Sequence, residues 1–281
     1  HGDLTAAVEE ARLILAARMF ALWTPPSWLP TRGRHRLHRA LGRLDAAVDR
    51  IITAADDAEP SVVGQLHRAA LERRQLRDEV MTLFLAGHET SAAALAWALW
   101  LLGTRPALQA RIARESGDLD LAGLDDVGGA LPFTRAVVHE TLRLYPPGAW
   151  SARAAREPDA IGGHRIATGD IVIVAPFVTQ RDARWWNEPL EFRPERFLAP
   201  GFKPRPGTWF PFGAGPRTCI GLQFALNEMI LTLAALLRAV EVTAIAPERV
   251  RPHSAITLRP EPGVTLAVAA RARDPAAART R

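Results

Sequence analysis

The chain has one cysteine, Cys219, in 281 residues. That excludes an internal disulfide and suits a reducing compartment. It also has one lysine, Lys203, so its positive charge is carried by arginine. Acids nearly balance those arginines, and the formal net charge is only +5. The arginine-dense stretch with Arg32, Arg34, Arg36 and Arg39 has no interleaved aromatic residues. It therefore reads as a solvated helix face, and nucleic acid is set aside as a partner, although a basic patch for an acidic protein remains compatible. No methionine opens the chain and no secretory leader is visible, so His1 is expected to begin a fragment or a processed chain. Residues 81–103 have the length of a membrane span, but His88 and Glu89 fall near the middle, where ionisable groups are expensive in lipid. A buried helix of a soluble core is expected instead, and its acid then needs a reason. There are no internal repeats and no composition shift that marks a domain boundary.

What is present is enough to fold. Apolar residues make up 48% of the chain, and the length suits one large domain or two small ones. Apolar residues recur at helical spacing over 5–23, three prolines break the pattern at 24–31, and it resumes over 34–55. A short helix is expected within 61–79 and a long one over 79–102. Others are expected from 104 to about 117 and over 132–145, the latter stopped by Pro146 and Pro147. Glycine turns and β-branched runs over 161–177 predict a hairpin. Residues 178–211 lack periodicity, and a loop of that length inside a compact domain is usually functional or packed on a ligand. A strong helix over 221–242, short strands at 255–259 and 264–269, and a disordered arginine-rich tail at 271–281 complete the reading. The fold class is mainly α with small β-sheets.

The sole thiol lies in FGAGPRTCIG, 212–221. Gly213, Gly215 and Gly221 let backbone approach something flat and large, because no Cβ intrudes. A helix starting near Gly221 would aim its amides at the sulfur and favour a thiolate. Arg217 offers a fork suited to a carboxylate. Four chemistries compete for such a cysteine. It can be inert packing. It can be a nucleophile, although no histidine lies nearby in sequence to activate it. It can be a zinc ligand, although a second cysteine is absent. It can be the thiolate ligand of a haem iron, which needs one cysteine only.

These ten residues resemble the haem-binding loop of cytochrome P450, with the pattern Phe-x-x-Gly-x-Arg-x-Cys-x-Gly met by Phe212, Gly215, Arg217, Cys219 and Gly221. Other segments resemble the family in the same order. In AGHETS, 86–91, the resemblance makes Gly87 part of an oxygen-binding groove. It makes Thr90 the hydrogen-bonding partner of dioxygen and Glu89 a proton relay. Thr90 is expected to bond back to the Ala86 carbonyl and to distort the helix locally. In ETLR, 140–143, Glu140 and Arg143 share a helix face, and with Arg196 of PERF, 194–197, they would form a buried structural Arg–Glu–Arg cluster. In YPPGAWSARAA, 145–155, Arg153 would join Arg217 in pairing haem propionates, and Ala149, Trp150 and Ser151 would border the substrate pocket. One departure is Gln180, where the family often has histidine, with an expected effect on loop packing. A larger one is that the family's N-terminal part has no counterpart.

The resemblance implies that 1–270 is the C-terminal portion of one bacterial-type P450 catalytic domain, with 5–55 as pocket-capping helices. It implies haem b as cofactor, with Cys219 as the metal ligand. The implied activity is a haem-thiolate monooxygenase that inserts one atom of O2 into a small apolar organic substrate. No flavin, nicotinamide or iron–sulfur motif is present, so electrons would come from a separate ferredoxin- or flavodoxin-type donor. A cytoplasmic location is expected, with no membrane span in this chain. A peroxide-using haem-thiolate enzyme and a non-enzymatic haem-binding or inactive fragment stand as alternatives.

Overall fold

The structure, a computed structural model, describes residues 2–19, 21, 26, 29, 31–55, 61–69 and 71–271. The expected tail beyond 271 and most of the proline-rich break lie outside these residues. The chain forms two compact units, His1–Glu89 and Thr90–Arg281.

The first unit is helical. It contains α1 (Gly2–Met19), α2 (Arg32–Ala54), α3 (Val62–Arg68) and the first half of α4 (Arg73–Gly103). Thr31 caps α2 by accepting a hydrogen bond from the Arg34 amide at 3.2 Å. Leu37, Ala40, Leu44, Val48 and Ile52 follow one face of α2 and bury against Ala7 and Ala11 of α1 and Leu76, Val80 and Met81 of α4. The arginine face of α2 is only partly solvated. Arg36 and Arg43 each donate to Glu10 at 2.8 Å. The hydrogen bond from Arg36, with the nearby guanidinium charges, holds the Glu10 carboxyl below its ordinary pKa.

The helix α4 is six residues longer at its start than expected, and it is α-helical throughout Arg73–Gly103.

The second unit continues from α4 through α5 (Pro106–Ser116), α6 (Val127–Ala130) and α7 (Pro132–Leu144). It then carries β1 (Ser151–Ala154), β2 (Asp159–Ile161), β3 (His164–Ile166), β4 (Ile171–Val174) and α8 (Pro176–Thr179). After a long irregular stretch come α9 (Leu222–Ala239), β5 (Val240–Ile245), β6 (Arg251–Ser254), β7 (Leu258–Glu261) and β8 (Thr265–Ala270). All sheets described are two-stranded and antiparallel: β1–β4, β2–β3, β5–β8 and β6–β7. The hairpin expected over 161–177 is thus divided, because β4 turns back to pair with β1. The helix expected to reach 242 stops at Ala239, where Val240 starts the ladder with Ala270.

The core of this unit joins Ala94, Ala98, Leu101 and Leu102 of α4 to Ile112 of α5, Val137 and Leu142 of α7, and Ile230, Leu233 and Leu237 of α9. Among the described residues, α9 alone is long and apolar enough to cross a membrane by length and composition. Its face with Ile230, Leu233 and Leu237 is buried in this core. Polar groups lock the packing. Glu115 of α5 accepts from the Phe133 and Thr134 amides, at 2.5 and 2.8 Å, and so caps α7 from a neighbouring helix. Trp97 is wholly buried, donates to the Leu258 carbonyl at 3.2 Å and stacks on Tyr145 with centroids 4.0 Å apart.

Candidate haem-ligand loop and its supports

Residues 212–221 form a closed loop. The Gly213 amide donates to the Phe210 carbonyl at 3.0 Å, and the Cys219 amide donates to the Phe212 carbonyl at 2.9 Å. Gly213 and Gly215 have φ of +75° and +69°, where a side chain would strain the backbone. Thr218 fixes the inner turn, with its hydroxyl donating to the Gly215 carbonyl at 2.8 Å. Gly221 is the N-cap of α9, so the thiol stands just before the helix's unpaired amides. Cys219 is free and exposed. Ile220 and Phe224, which flank it, are 93% and 74% exposed. Phe212 instead packs on the core and tethers the loop.

The chemistry of this donor set suits haem. It offers one soft sulfur, and among the described residues no group of three metal-ligating side chains gathers elsewhere. Ile220, next to the cysteine, and Phe224, in the first turn of α9, leave apolar surface exposed that a flat apolar macrocycle would cover. Arg217 and Arg153 are both exposed. Arg153 sits on β1 opposite Val172, and its guanidinium donates to the Ala152 carbonyl at 2.7 Å. Among the described residues neither arginine forms an ion pair, and both guanidinium groups are open to a carboxylate.

The Glu140 cluster is the most buried polar assembly near the loop's supports. Arg143 donates to both Glu140 oxygens, at 2.7 and 2.9 Å, and both side chains are wholly buried. Arg196 donates to Glu140 Oε1 at 3.0 Å, and the Arg193 amide joins it at 2.9 Å. Arg143 gives its other guanidinium hydrogens to the carbonyls of Gln180, Pro189 and Glu191, and Arg196 also donates to those of Asn187 and Glu188. Two cations and one anion are thus satisfied by backbone dipoles, which a buried cluster requires. The irregular stretch after α8 is pinned to α7 by charge rather than by periodic packing.

In the first unit, Glu89 faces a buried arginine. Arg12 Nε lies 3.5 Å from a Glu89 oxygen, and Arg12 also donates to both oxygens of Glu9, at 2.8 and 2.5 Å. Those carboxylates, Glu9 first, raise the Arg12 pKa further. Sequence reasoning missed Arg12. The available signal was a lone cation between buried Ala11 and Ala16 on an apolar helix. Gly87 is exposed, with nothing within 4 Å of where a Cβ would sit. Thr90 is half-buried on the same helix and opens the second unit.

A family model described as Cytochrome P450 matches residues 3–267. The chain belongs to the cytochrome P450 family. Among its relatives, putative cytochrome P450 137 of Mycobacterium tuberculosis is 42% identical over 182 residues, which cover 64% of this chain and 36% of that one. Cyclooctatin synthase of Streptomyces melanosporofaciens is 33% identical over 255 residues, covering 83% of this chain and 54% of that one. The solved structure of the P450 CYP102L1 superposes with a TM-score of 0.79 at 26% identity, over 96% of this chain and 65% of that one. A six-coordinated P450 from Thermus thermophilus gives 0.73 at 29% identity, over 95% and 62%. The chain therefore has the P450 fold, and it spans roughly a third to a half of the length of the curated relatives it matches.

Membership of the P450 family implies haem as the cofactor. Of the residues singled out from sequence, the structure brings Glu140, Arg143 and Arg196 into direct contact. It also places Phe212, Gly213, Gly215, Arg217, Cys219 and Gly221 on one loop. Arg153 is on a different element and touches none of them through a hydrogen bond or ion pair among the described residues.

Proposed function

We propose that the chain carries the haem-holding part of a monooxygenase in which Cys219, as thiolate, would hold the iron of haem b. The observation that carries this reading is the free, exposed Cys219 at the start of α9, on a loop closed by the hydrogen bond from its own amide to the Phe212 carbonyl. Haem, when bound, supplies the activation of O2 and the insertion of one oxygen atom into a substrate C–H bond, with water as by-product. The chain's residues divide the remaining work. The α9 amides favour the anionic sulfur. Gly213 and Gly215 would let the loop approach the prosthetic group, Ile220 and Phe224 would offer it apolar surface, and Arg217 and Arg153 would be available to pair its carboxylates. Thr90 Oγ1 holds a proton by hydrogen bonding, and Glu89 resupplies it from water. Arg12 orients the Glu89 carboxylate. This acid–alcohol pair favours the dioxygen reading over a peroxide-driven one.

The substrate is a small apolar organic molecule, bordered on one side by Ala149, Trp150 and Ser151. Electrons arrive from an acidic ferredoxin- or flavodoxin-type donor, for which the arginine-rich composition is suited. The free thiol suits the cytoplasm. The test is the reduced, carbon-monoxide-bound absorption spectrum of the haem-loaded chain, beside that of Cys219→Ala. A strongly red-shifted Soret band, lost in the variant, is expected. A histidine-type band in both proteins would overturn the assignment of Cys219.

A further inference from the structure

We propose that Gln180 is a positioning residue that sets the register of the Cys219 loop against the end of α7. The proposal rests on the reading of Cys219 as the haem ligand. Gln180 is wholly buried and uncharged. Its Nε2 donates to the Leu142 and Arg143 carbonyls, each at 3.0 Å. Both are among the last carbonyls of α7, which have no partner inside the helix. Its Oε1 accepts from the Phe210 amide at 2.8 Å. Phe210 in turn accepts from Gly213, and Phe212 accepts from Cys219. A short relay of hydrogen bonds therefore runs from the end of α7 to the amide of the cysteine, and one side chain is its first link.

Two indoles hold the residues just before the loop. Trp186 donates to the Thr208 carbonyl at 3.2 Å and Trp209 to the His139 carbonyl at 3.3 Å. Loss of Gln180 would leave this segment attached but free to slide. That is the behaviour of a register pin, in contrast to a general prop. The same unit holds a second glutamine in an equivalent arrangement. Gln109 donates to Leu102 and Val242 carbonyls, at 2.8 and 2.7 Å, and accepts from the Val242 amide at 3.0 Å. It grips β5 and has no link to the loop, so it is a matched control.

The experiment measures amide hydrogen exchange on the full chain for Gln180→Leu and Gln109→Leu. In Gln180→Leu the Phe210 amide should exchange about tenfold faster and those of Gly213 and Cys219 at least about threefold faster, with Val242 unchanged. Gln109→Leu should show the reverse. Gln180→His keeps one ring donor and one ring acceptor and should restore most of the protection at Phe210. Gln180→Met carries the same comparison if the leucine variant does not fold. In haem-loaded protein, the red-shifted band should weaken in Gln180→Leu, persist in Gln109→Leu and return in Gln180→His. Equal exchange at Phe210 and Cys219 in the two leucine variants, or a uniform rise that includes Val242, would overturn the proposal. A wild-type chain without the red-shifted band would overturn the assignment of Cys219 instead, and the exchange data would still decide the role of Gln180.

Discussion

Glu140 is the one anion between two guanidinium groups, and its removal leaves a charge imbalance that water cannot reach. In Glu140→Gln the amide still occupies the volume, but it accepts weakly and its NH2 faces a donor. Breaking one side of a buried pair costs about 3–5 kcal/mol. Equilibrium urea unfolding should show a loss of that order, or the variant should fail to accumulate. Arg196→Lys should cost less, about 1–2 kcal/mol, because a lysine keeps the charge near Glu140 but forfeits the fork that reaches Asn187 and Glu188. A loss below about 1 kcal/mol for Glu140→Gln would mean that the long stretch after α8 is held mainly by its aromatic packing.

On α4, two glycines carry opposite expectations. Gly103 faces β5 so closely that a Cβ would lie 2.8 Å from the Ala244 nitrogen. Backbone cannot swing aside as a side chain can, so Gly103→Ala should destabilise by about 1–3 kcal/mol. Gly87 has no positive φ and open space where a Cβ would go, so Gly87→Ala should stabilise by roughly 0.5–1 kcal/mol through helix propensity. Thermal melts of the two variants without haem give both signs in one experiment. If both variants destabilise, the space above Gly87 is filled in solution. The elements themselves are unevenly legible. Helices α2, α4, α7 and α9 announce themselves because a 3.6-residue apolar period is a local property. The end of α9 is misplaced by sequence reading because Val240 and Val242 continue an apolar run, and only the distant β8 makes them strand. The β1–β4 pairing escapes for the same reason, since its partners are about twenty residues apart. The loop of Cys219 is legible because its glycines, arginine and thiol lie in ten consecutive residues. The partners of Gln180 and Glu115, and the approach of Arg12 to Glu89, are not, because each side chain there meets a group far along the chain.

The unit Thr90–Arg281 also carries a buried titratable group that none of the proposed chemistry uses, and it ties the stability of the fold to pH. His139 lies on α7 beside Glu140, with Phe197 and Trp209 ring centroids 5.4 and 5.0 Å away. Its Nε2 is buried and has no hydrogen-bond partner among the described residues. Burial first, and the charge of Arg135 second, push its pKa down to about 4 from the ordinary value of 6.5. The unfolded chain therefore takes up a proton between pH 6.5 and about 4 that the folded chain refuses. Stability from this group is fully present above pH 6.5, falls as the pH drops through that window and levels off below about 4. The loss between about pH 7.5 and 5 should be about 2 kcal/mol. Carboxylates titrate at the lower edge of the same range, so the informative quantity is a difference between proteins. His139→Phe keeps the aromatic packing and removes the proton site. Urea midpoints at about pH 7.5 and 5 should fall further apart in the wild type than in the variant by the amount of that loss. Equal pH dependence in the two proteins would mean that the imidazole finds water or an acceptor in solution, and that the aromatic cage around it opens.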